Sequence, residues 1–494
     1  MYYHLITGAT GLLGGYLLRD LIDADVSLAV LARGTDENSG YRRIDDILSH
    51  WERLAGFSLP RPIVLNGDLT KYHLGLNDVD VQWVRDHCMA VIHNAASLSF
   101  TGNDRNAEPW VSNLNGTRNV LELCRSTGIR RFYHVSTAYI CGDRRGEVYE
   151  NEMDVGQQTS NDYEASKLAA EQDVRSAEWL NHVTVFRPSI IAGDSRTGFT
   201  STFHGFYFPL KIAMNLSRLG AFSKLFDLKE LLSTMGLDGT ERKNFVPVDW
   251  VSSVIAKAVT SPELQGQTYH LTSEHPVTLS TMVNVMSEAI QKAYKSSATN
   301  KTSSADFEWM RNQFRLQMTA YRSYWRDDPE FCNANTQRMA EDLPCPPVTE
   351  ATMKRWCQFA IDQNFQPPVF KAKYDEFDVH ALLETRYSVL DTNVPNISLH
   401  VNGPGGGQWQ LCWTNERITS VRRGGLLRHN CTTLYLNTNT FRNLARGLFS
   451  AERAILAGQV LVQGDSKVAA RIIQQLTKNC LNERIESIAK TKTN

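Results

Sequence analysis

Three side chains of this sequence together carry the groups needed for acid–base chemistry on a carbonyl. Tyr163 and Lys167 are four residues apart, so a helix beginning near Asp162 places them on one face. An ammonium group beside a phenol favours the phenolate and lowers the phenol pKa, which makes Tyr163 a usable acid or base near neutral pH. Thr137, at the end of an apolar run, can hydrogen-bond the same carbonyl oxygen. Alone, the tyrosine and lysine also fit an ordinary surface pair, so the interpretation depends on the surrounding elements.

The N-terminal segment from Ile6 to Leu18 predicts a strand, a glycine turn and a helix. Gly8 permits a tight turn, Gly11 lets backbone N–H groups approach a pyrophosphate, and Gly14 lets the helix lie close to the strand. The N-terminus of that helix then faces the anion. The pattern indicates a dinucleotide-binding turn, although the same glycines also fit a plain turn before a helix.

The strand predicted at residues 26–31 leads into Arg33. In a dinucleotide fold an acid at this strand tip accepts the 2′-hydroxyl of NAD, whereas an arginine pairs with the 2′-phosphate of NADP. The sequence therefore favours NADPH, and Arg42 and Arg43 either join the same phosphate or remain solvated. Asp68 follows the third predicted strand, where it can accept a hydrogen bond from the adenine amino group.

Apolar strands alternate with helices through residues 1–290. The strand before Asn94, Ala95 and Ala96 ends in small residues that let a cofactor lie against backbone. The helix that carries Asn113 contains a glycine, which indicates close packing beside the cofactor. Apolar strands joined by helices are typical of a doubly wound parallel α/β sheet, which binds ligands at the carboxyl edge of its strands.

Composition limits the function classes. The chain has 494 residues, 42% of them hydrophobic, and a net charge of −1; this length predicts two or three domains, and this charge argues against nucleic acid or an anionic membrane as main partner. The nine cysteines form no Cys-x-x-Cys pair, which favours reduced thiols over a disulfide framework or metal site. No apolar run reaches about 18 residues, and the first residues belong to a predicted strand, so we expect a cytoplasmic protein without signal peptide or transmembrane segment.

These motifs occur together in one known family. Residues 1–290 resemble the extended short-chain dehydrogenase/reductases, specifically their thioester reductase and fatty acyl-CoA reductase branch. The Val-Pro-Val-Asp-Trp motif at residues 246–250 points to the thioester-reducing branch. The positions that carry the resemblance are residues 7–14, 33, 68, 93–96, 134–139, 163, 167, 186–193 and 244–250.

The resemblance implies a Rossmann-like sheet, NADPH as cofactor and no metal. It implies Thr137, Tyr163 and Lys167 as the catalytic residues, and Cys141 is expected to pack rather than act as a nucleophile. The cofactor-binding residues implied are Gly8, Thr10, Gly11, Leu12, Leu13, Gly14, Arg33, Arg43, Asp68, Leu69, Asn94, Ala95, Ala96, Asn113, Lys167, Pro188, Ser189, Ile190 and Ile191.

An aromatic-rich insertion at residues 199–209 precedes helices predicted at 210–219 and 221–232. It suits either a hydrophobic acyl tunnel or lid, or the ordinary core of a small subdomain. His204 within it is expected to line a pocket or to be satisfied by neighbours rather than to act in catalysis.

The remainder divides into two parts. Residues 291–370 predict a helical tail, with helices at 307–324 and 350–364, similar to the tail that follows the reductase domain in fatty acyl-CoA reductases. Residues 371–494 change to hairpin strands and short helices, and residues 375–480 resemble sterol-carrier-protein-2-like domains, which implies a five-stranded sheet around an apolar tunnel for a lipid-like ligand. A packing or dimerisation module without ligand is the alternative. The glycine run at 403–407 lacks the Lys-Ser/Thr of a phosphate loop.

The sequence therefore predicts NADPH-dependent reduction of an acyl thioester, carried by coenzyme A or an acyl carrier protein, either to an aldehyde or, through a second reduction, to an alcohol. Two alternatives stay open. One is an NAD(P)-dependent carbonyl or hydroxysteroid dehydrogenase acting on a lipid, and the other is a lipid-binding protein with a regulatory dinucleotide fold.

Overall fold

The architecture was obtained as a computed structural model. It describes residues 2–34, 40–56, 59–100, 102, 104–216, 232, 236–295, 325–368, 379–384, 386–387, 395–402, 406–423 and 431–477. The helices predicted at 221–232 and 307–324 lie outside the described residues, apart from residue 232.

Strands and helices alternate from Tyr3 to Val135, as the sequence predicts. The strands are β1 (Tyr3–Thr7), β2 (Leu28–Ala32), β3 (Ile63–Asn66), β4 (Cys88–His93), β5 (Arg131–Val135), β6 (Glu147–Val148), β7 (His182–Pro188), β8 (Ile190–Ala192), β9 (Arg242–Lys243), β10 (Phe245–Pro247), β11 (Thr268–Leu271), β12 (Val277–Thr278), β13 (Glu330–Phe331), β14 (Ile397–Asn402), β15 (Gly407–Thr414), β16 (Arg417–Arg423), β17 (Thr432–Asn437) and β18 (Leu461–Gln463). The helices are α1 (Leu12–Asp23), α2 (Gly40–Ala55), α3 (Asp78–His87), α4 (Gly116–Thr127), α5 (Asp162–Arg175), α6 (Tyr207–Leu216), α7 (Val248–Thr260), α8 (Leu279–Lys295), α9 (Ala334–Met339), α10 (Glu350–Asp362), α11 (Val379–Glu384), α12 (Thr438–Ala445), α13 (Ala451–Leu456) and α14 (Ser466–Thr477).

Seven parallel strands form the main sheet, in the order β11-β7-β5-β4-β1-β2-β3. Successive residues of β1, Leu5 and Ile6, lie in cores on opposite faces, because side chains alternate along a strand. Helices cover both faces, so the strands are apolar throughout. The predicted fold, a Rossmann-like doubly wound sheet, is confirmed. The strand order reverses between β1 and β4, which is where such sheets bind ligands.

The predicted helix that carries Asn113 is interrupted. Val111–Asn115 forms a π turn, and α4 begins at Gly116. A Cβ at Gly116 would lie 3.4 Å from the Cβ of Leu69. The glycine therefore allows α4 to approach the loop after β3.

A second apolar core lies beyond the carboxyl edge of the main sheet. It joins the 203–214 segment and α8 to the 325–368 segment through buried side chains such as Phe206, Trp325 and Trp356. Through these contacts the described part of the predicted helical tail packs with the 1–290 segment rather than as a separate body.

The C-terminal unit contains a five-stranded sheet in the order β16-β15-β14-β17-β18, and α11 to α14 share its apolar core. The sheet has the number of strands that the resemblance implies, while the resemblance to sterol-carrier-protein-2-like domains and the lipid tunnel stay predictions. The unit contacts the main sheet through Tyr435, which packs with Tyr3 and Trp83 and accepts a hydrogen bond from Trp83 Nε1 at 2.9 Å. Tyr3 begins β1, so this contact lies at the amino ends of the strands, away from their carboxyl edge.

Among the described residues, none of the helices combines the length and apolar character required to cross a membrane.

Candidate active site

A cavity of about 530 Å³ lies at the carboxyl edge of the main sheet. Its volume is in the range of ligand pockets. The predicted site residues that line it are Gly8, Thr10, Gly11, Leu12, Leu13, Arg33, Arg43, Asp68, Leu69, Asn94, Ala95, Ala96, Thr137, Tyr163, Lys167, Pro188, Ser189, Ile190 and Ile191. Two others, Gly14 and Asn113, are not among its lining residues.

The turn between β1 and α1 requires its glycine. Gly8 has φ of +72°, and a Cβ there would lie 2.6 Å from backbone atoms of Ala95. Gly11 caps α1 without a side-chain hydrogen bond, so the first N–H groups of the helix face the cavity. Helix N-terminal N–H groups bind phosphate, so this cradle fits the pyrophosphate of a dinucleotide.

Gly14 acts in packing. A Cβ at Gly14 would lie 2.1 Å from the carbonyl oxygen of Gly8 and 2.6 Å from the Cα of Ala9. As the sequence indicates, this glycine lets the helix lie close to the strand.

Asn113 hydrogen-bonds the loop after β4 from the side that faces the protein rather than the cavity. Its Oδ1 accepts a hydrogen bond from Ser97 N at 2.7 Å, and its Nδ2 donates to Ser97 O at 3.1 Å and to Ser166 Oγ at 3.0 Å. It thereby links the loop to α5, the helix that carries Tyr163. The structure thus places Asn113 as a support of the cavity wall rather than on its surface.

Two arginines converge beside the glycine turn. Arg43 donates to the Arg33 carbonyl oxygen at 3.2 Å and to Thr10 Oγ1 at 2.8 Å. Burial and the charge of Arg33 lower the pKa of Arg43. Two adjacent guanidinium groups suit an anion such as a 2′-phosphate, whereas Arg42 is exposed and does not line the cavity.

Asp68 lies across the cavity from the turn, and its Oδ1 accepts hydrogen bonds from the backbone and hydroxyl of Thr70. Its partial burial opposes ionisation, but these hydrogen bonds and the charge of Arg33 hold its pKa below the usual value. Asp68 is therefore an ionised acceptor.

Thr137, Tyr163 and Lys167 meet in the same cavity. The Thr137 side chain interacts with the Tyr163 phenol and donates to Pro188 O at 3.4 Å. Lys167 is buried, and its Nζ donates to Val135 O at 2.7 Å. Asn161 caps α5 by accepting from Glu164 N, which fixes where the helix carrying both residues begins.

The phenol pKa differs from the sequence expectation. Burial raises the pKa of Tyr163 to about 12, with a smaller lowering by Thr137. Burial also lowers the pKa of Lys167 to about 8, against the charge of Glu171. Both shifts favour the neutral form, so the expected lowering of the phenol pKa by the lysine is not seen in this structure. Cys141 is buried and its pKa is raised to about 12 by burial, as befits a packing residue.

The sequence analysis missed Leu98, Phe100 and Tyr139, which also line the cavity. Tyr207 lines it too and belongs to the 199–209 insertion, for which a tunnel or lid was one of the two expectations. The Phe100 ring stands edge-on to the Tyr163 ring, with 6.1 Å between the ring centroids. Tyr139 lies inside the 134–139 motif, which was a usable signal, whereas Phe100 had none. His204 lines the cavity, as expected, and burial lowers its pKa.

The loop carrying Pro188 to Ile191 is held from outside the cavity. Ser189 Oγ donates to Asn244 Oδ1 at 2.8 Å, and Ile190 N donates to Asn244 O at 3.1 Å. Asp249, in the Val-Pro-Val-Asp-Trp motif, accepts from both the backbone and the hydroxyl of Ser195. The motif therefore fixes the loop that follows β8.

Comparisons with known proteins found relatives by sequence and by structure. Residues 6–255 match the NAD-binding family model described as "Male sterility protein". The chain is 25% identical over 389 residues to the non-canonical nonribosomal peptide synthetase hkm10 of Aspergillus hancockii, an alignment that covers 72% of this chain and 36% of that protein. It is 24% identical over 280 residues to aldehyde reductase lnbA of Aspergillus flavus, with 54% of this chain and 26% of that protein covered. The chain thus spans about a third or less of the length of these relatives.

Two solved structures share the fold. The terminal R domain from the myxalamid PKS-NRPS pathway superimposes with a TM-score of 0.56 at 24% identity, covering 75% of this chain and 93% of that domain. A thiolation-reductase di-domain from an archaeal nonribosomal peptide synthetase gives a TM-score of 0.54 at 18% identity, covering 74% and 76%.

Proposed function

Because the chain belongs to the NAD-binding family described as "Male sterility protein" and is an oxidoreductase of the extended short-chain dehydrogenase/reductase type, we propose that it reduces acyl thioesters with NADPH. The observation that carries the proposal is the convergence of Thr137, Tyr163 and Lys167 in one cavity with the glycine turn. When bound, the nicotinamide supplies a hydride to the substrate carbonyl.

The side chains have distinct roles in this proposal. Thr137 and Tyr163 hydrogen-bond the carbonyl oxygen and stabilise the negative charge that develops on it. With a pKa near 12, Tyr163 is protonated at neutral pH and can donate its proton. Lys167 carries its charge below a pKa of about 8, and its hydrogen bond to Val135 O orients the ammonium group.

Collapse of the oxyanion then breaks the carbon–sulfur bond, the thiol leaves, and an aldehyde remains. A second reduction, with Tyr163 as proton donor, gives an alcohol. The thioester carrier is coenzyme A or the arm of a carrier protein; support for the second comes from relatives and structural neighbours whose names describe nonribosomal peptide synthetases or their reductase domains.

The proposal is tested by incubating the purified chain with NADPH and either long-chain acyl-CoA or an acyl carrier protein thioester. Free thiol and NADPH are measured together, and products are identified by mass spectrometry. We expect one thiol per NADPH for aldehyde and one per two for alcohol. Turnover of a sterol with NADP⁺ and no thiol release would favour the hydroxysteroid dehydrogenase instead, and lipid binding without turnover would favour a binding protein.

The variant Tyr163→Phe tests the proposed role of the phenol, because it removes only the hydroxyl group. Loss of the phenol proton should lower turnover by about 10²–10⁴-fold, while NADPH binding, followed by fluorescence, is retained. Unchanged turnover would remove Tyr163 from the chemistry.

NADPH preference is assigned to the two arginines beside the glycine turn. Arg33→Ala and Arg43→Ala should weaken NADPH binding far more than NADH binding, since only NADPH has the 2′-phosphate. Arg42→Ala, which changes an arginine outside the cavity, is the control. Equal weakening of both cofactors would contradict the assignment.

For the C-terminal unit we propose a lipid-like ligand held apart from the chemistry. The C-terminal unit contacts the main sheet at the amino ends of its strands, whereas the residues that line the cavity lie between residues 8 and 207. Fluorescent fatty-acid binding that survives saturation with NADPH would support this, and absence of binding would favour the packing module.

A further inference from the structure

A short strap, residues 325–333, crosses the outside of the active-site wall. Its strand β13 pairs in parallel with β6, and Arg326 donates to Gly142 O at 2.6 Å and to Ser160 Oγ at 2.6 Å. The strap therefore fastens the loop that follows Thr137 to the loop that precedes α5.

Asp328 is the buried centre of the strap. Its Oδ2 accepts hydrogen bonds from the Tyr139 hydroxyl and from Asn244 N, both at 2.8 Å, and its Oδ1 is paired with Lys243. Lys243 is also buried, donates to Arg326 O at 3.2 Å and lies 5.5 Å from the centre of the Tyr139 ring. The buried carboxylate thus has several donors, which a buried charge requires.

The same carboxylate connects two walls of the cavity. On one side, Tyr139 N donates to Thr137 Oγ1 at 3.3 Å, so the position of Tyr139 bears on the Thr137 hydroxyl. On the other, Asn244 holds Ser189 and Ile190, which line the cavity. A chain of hydrogen bonds therefore runs from the wall with the predicted catalytic threonine, through Asp328, to the wall whose Ser189 and Ile190 are predicted to bind the cofactor.

We propose that Asp328 is a positioning residue that sets the spacing of these two walls through Tyr139 and Asn244. The inference rests on the proposed reduction of a carbonyl at Thr137 and Tyr163. Small displacements of groups that orient a reacting carbonyl lower the rate of chemistry while cofactor binding is unaffected.

The test begins with Tyr139→Phe, which removes one hydroxyl and leaves the ring and the ion pair. We expect kcat to fall about 10–100-fold, with the Kd for NADPH unchanged. Asp327→Asn is the matched control: Asp327 is the neighbouring carboxylate of the strap, but it is half-exposed and pairs with Arg242 at the surface. It should keep the kcat of the unaltered protein.

Asp328→Asn alone leaves Lys243 as an unpaired buried charge and can prevent folding. The double variant Lys243→Gln/Asp328→Asn removes both charges together and should give a folded protein with lowered kcat and unchanged NADPH binding. Tyr139→Phe with unchanged kcat, or with kcat and NADPH affinity lowered together, would overturn the inference.

A free long-chain aldehyde is tested as a second substrate to separate the two proposals. If aldehyde is reduced and thioester is not, the thioester proposal fails, and the positioning role is decided by the effect of Tyr139→Phe on aldehyde turnover. Reduction of neither substrate would overturn both.

Discussion

Burial determines the protonation of the two ionisable residues at the centre of the site. It raises the pKa of Tyr163 to about 12 and lowers that of Lys167 to about 8. Their four-residue spacing correctly predicted a shared helix, but it contained no information about desolvation, which dominates both shifts. The result is a tyrosine that is protonated at neutral pH, as the proposed proton donation to a carbonyl oxygen requires.

Lys167→Met should stabilise the fold at pH 7. The folded-state pKa of Lys167, about 8, lies below its ordinary value of 10.5, so the buried lysine opposes folding; the penalty is full below pH 8 and fades as pH rises to about 10.5. We expect a gain of about 2 kcal/mol at pH 7, because a penalty of about 3 kcal/mol is relieved and a hydrogen bond to Val135 O worth about 1 kcal/mol is lost.

Urea unfolding of the variant and the unaltered protein, compared at several pH values, measures this. The difference should shrink between pH 8 and pH 10. A difference that is constant with pH would contradict the assigned pKa.

Residues that belong to short sequence motifs were predictable. The glycines, Arg33 and the tyrosine–lysine pair are such residues, and all of them except Gly14 line the cavity. Asp328 was not predictable, because its partner Tyr139 is 189 positions away in the chain. The resemblance implied that Asn113 binds the cofactor. In the structure its side chain instead hydrogen-bonds Ser97 and Ser166 of the protein.

Among the elements, α1 is the one on which the cofactor cradle depends. Its N-terminus opens to the cavity, and Gly14 brings its first turn against the Gly8–Ala9 backbone. In residues 1–290, the strands and helices were predictable from the alternation of apolar strands with helices, and the predicted ends differ from the observed ends by a few residues. The π turn before α4 and the strap were not predictable, because each depends on contacts with distant segments.

Gly14→Ala should disrupt this packing, whereas Gly15→Ala should not. A Cβ at Gly14 would lie 2.1 Å from Gly8 O, while one at Gly15 would lie 3.5 Å from the Ile47 side chain. We expect Gly14→Ala to lose about 3 kcal/mol or more of stability through overpacking. Gly15→Ala should gain up to about 1 kcal/mol from helix propensity.

Thermal unfolding and NADPH titration of the two variants check this. Equal stability of the two, or normal NADPH binding by a fully stable Gly14→Ala variant, would show that the close approach of helix and strand is not required.

At the scale of the whole molecule, the two ends of the main sheet have different neighbours. The cavity lies at the carboxyl edge, and the C-terminal unit docks at the amino ends through Tyr435, Tyr3 and Trp83. The sequence indicated a change of architecture after residue 370 but not this docking, which joins residues 352 positions apart. The described residues of the C-terminal unit take no part in lining the cavity.

Tyr435→Phe should weaken the junction without affecting chemistry. The variant leaves the Trp83 indole N–H buried without the hydroxyl, which should cost about 1–3 kcal/mol. Urea unfolding followed by tryptophan fluorescence measures the loss, with Tyr72→Phe, which changes an exposed tyrosine, as control. Lowered kcat in Tyr435→Phe at a temperature where it is folded would contradict the separation of the two ends.

The most direct test of the account is transfer of deuterium from C4-labelled NADPH to the product of an acyl-CoA incubation. Each deuterated epimer is used separately, and the product is analysed by mass spectrometry. The account predicts deuterium on the former thioester carbon, from one epimer only, with free thiol released. Aldehyde or alcohol that carries no label with either epimer, label from both epimers, or a labelled product with no thiol released would contradict it.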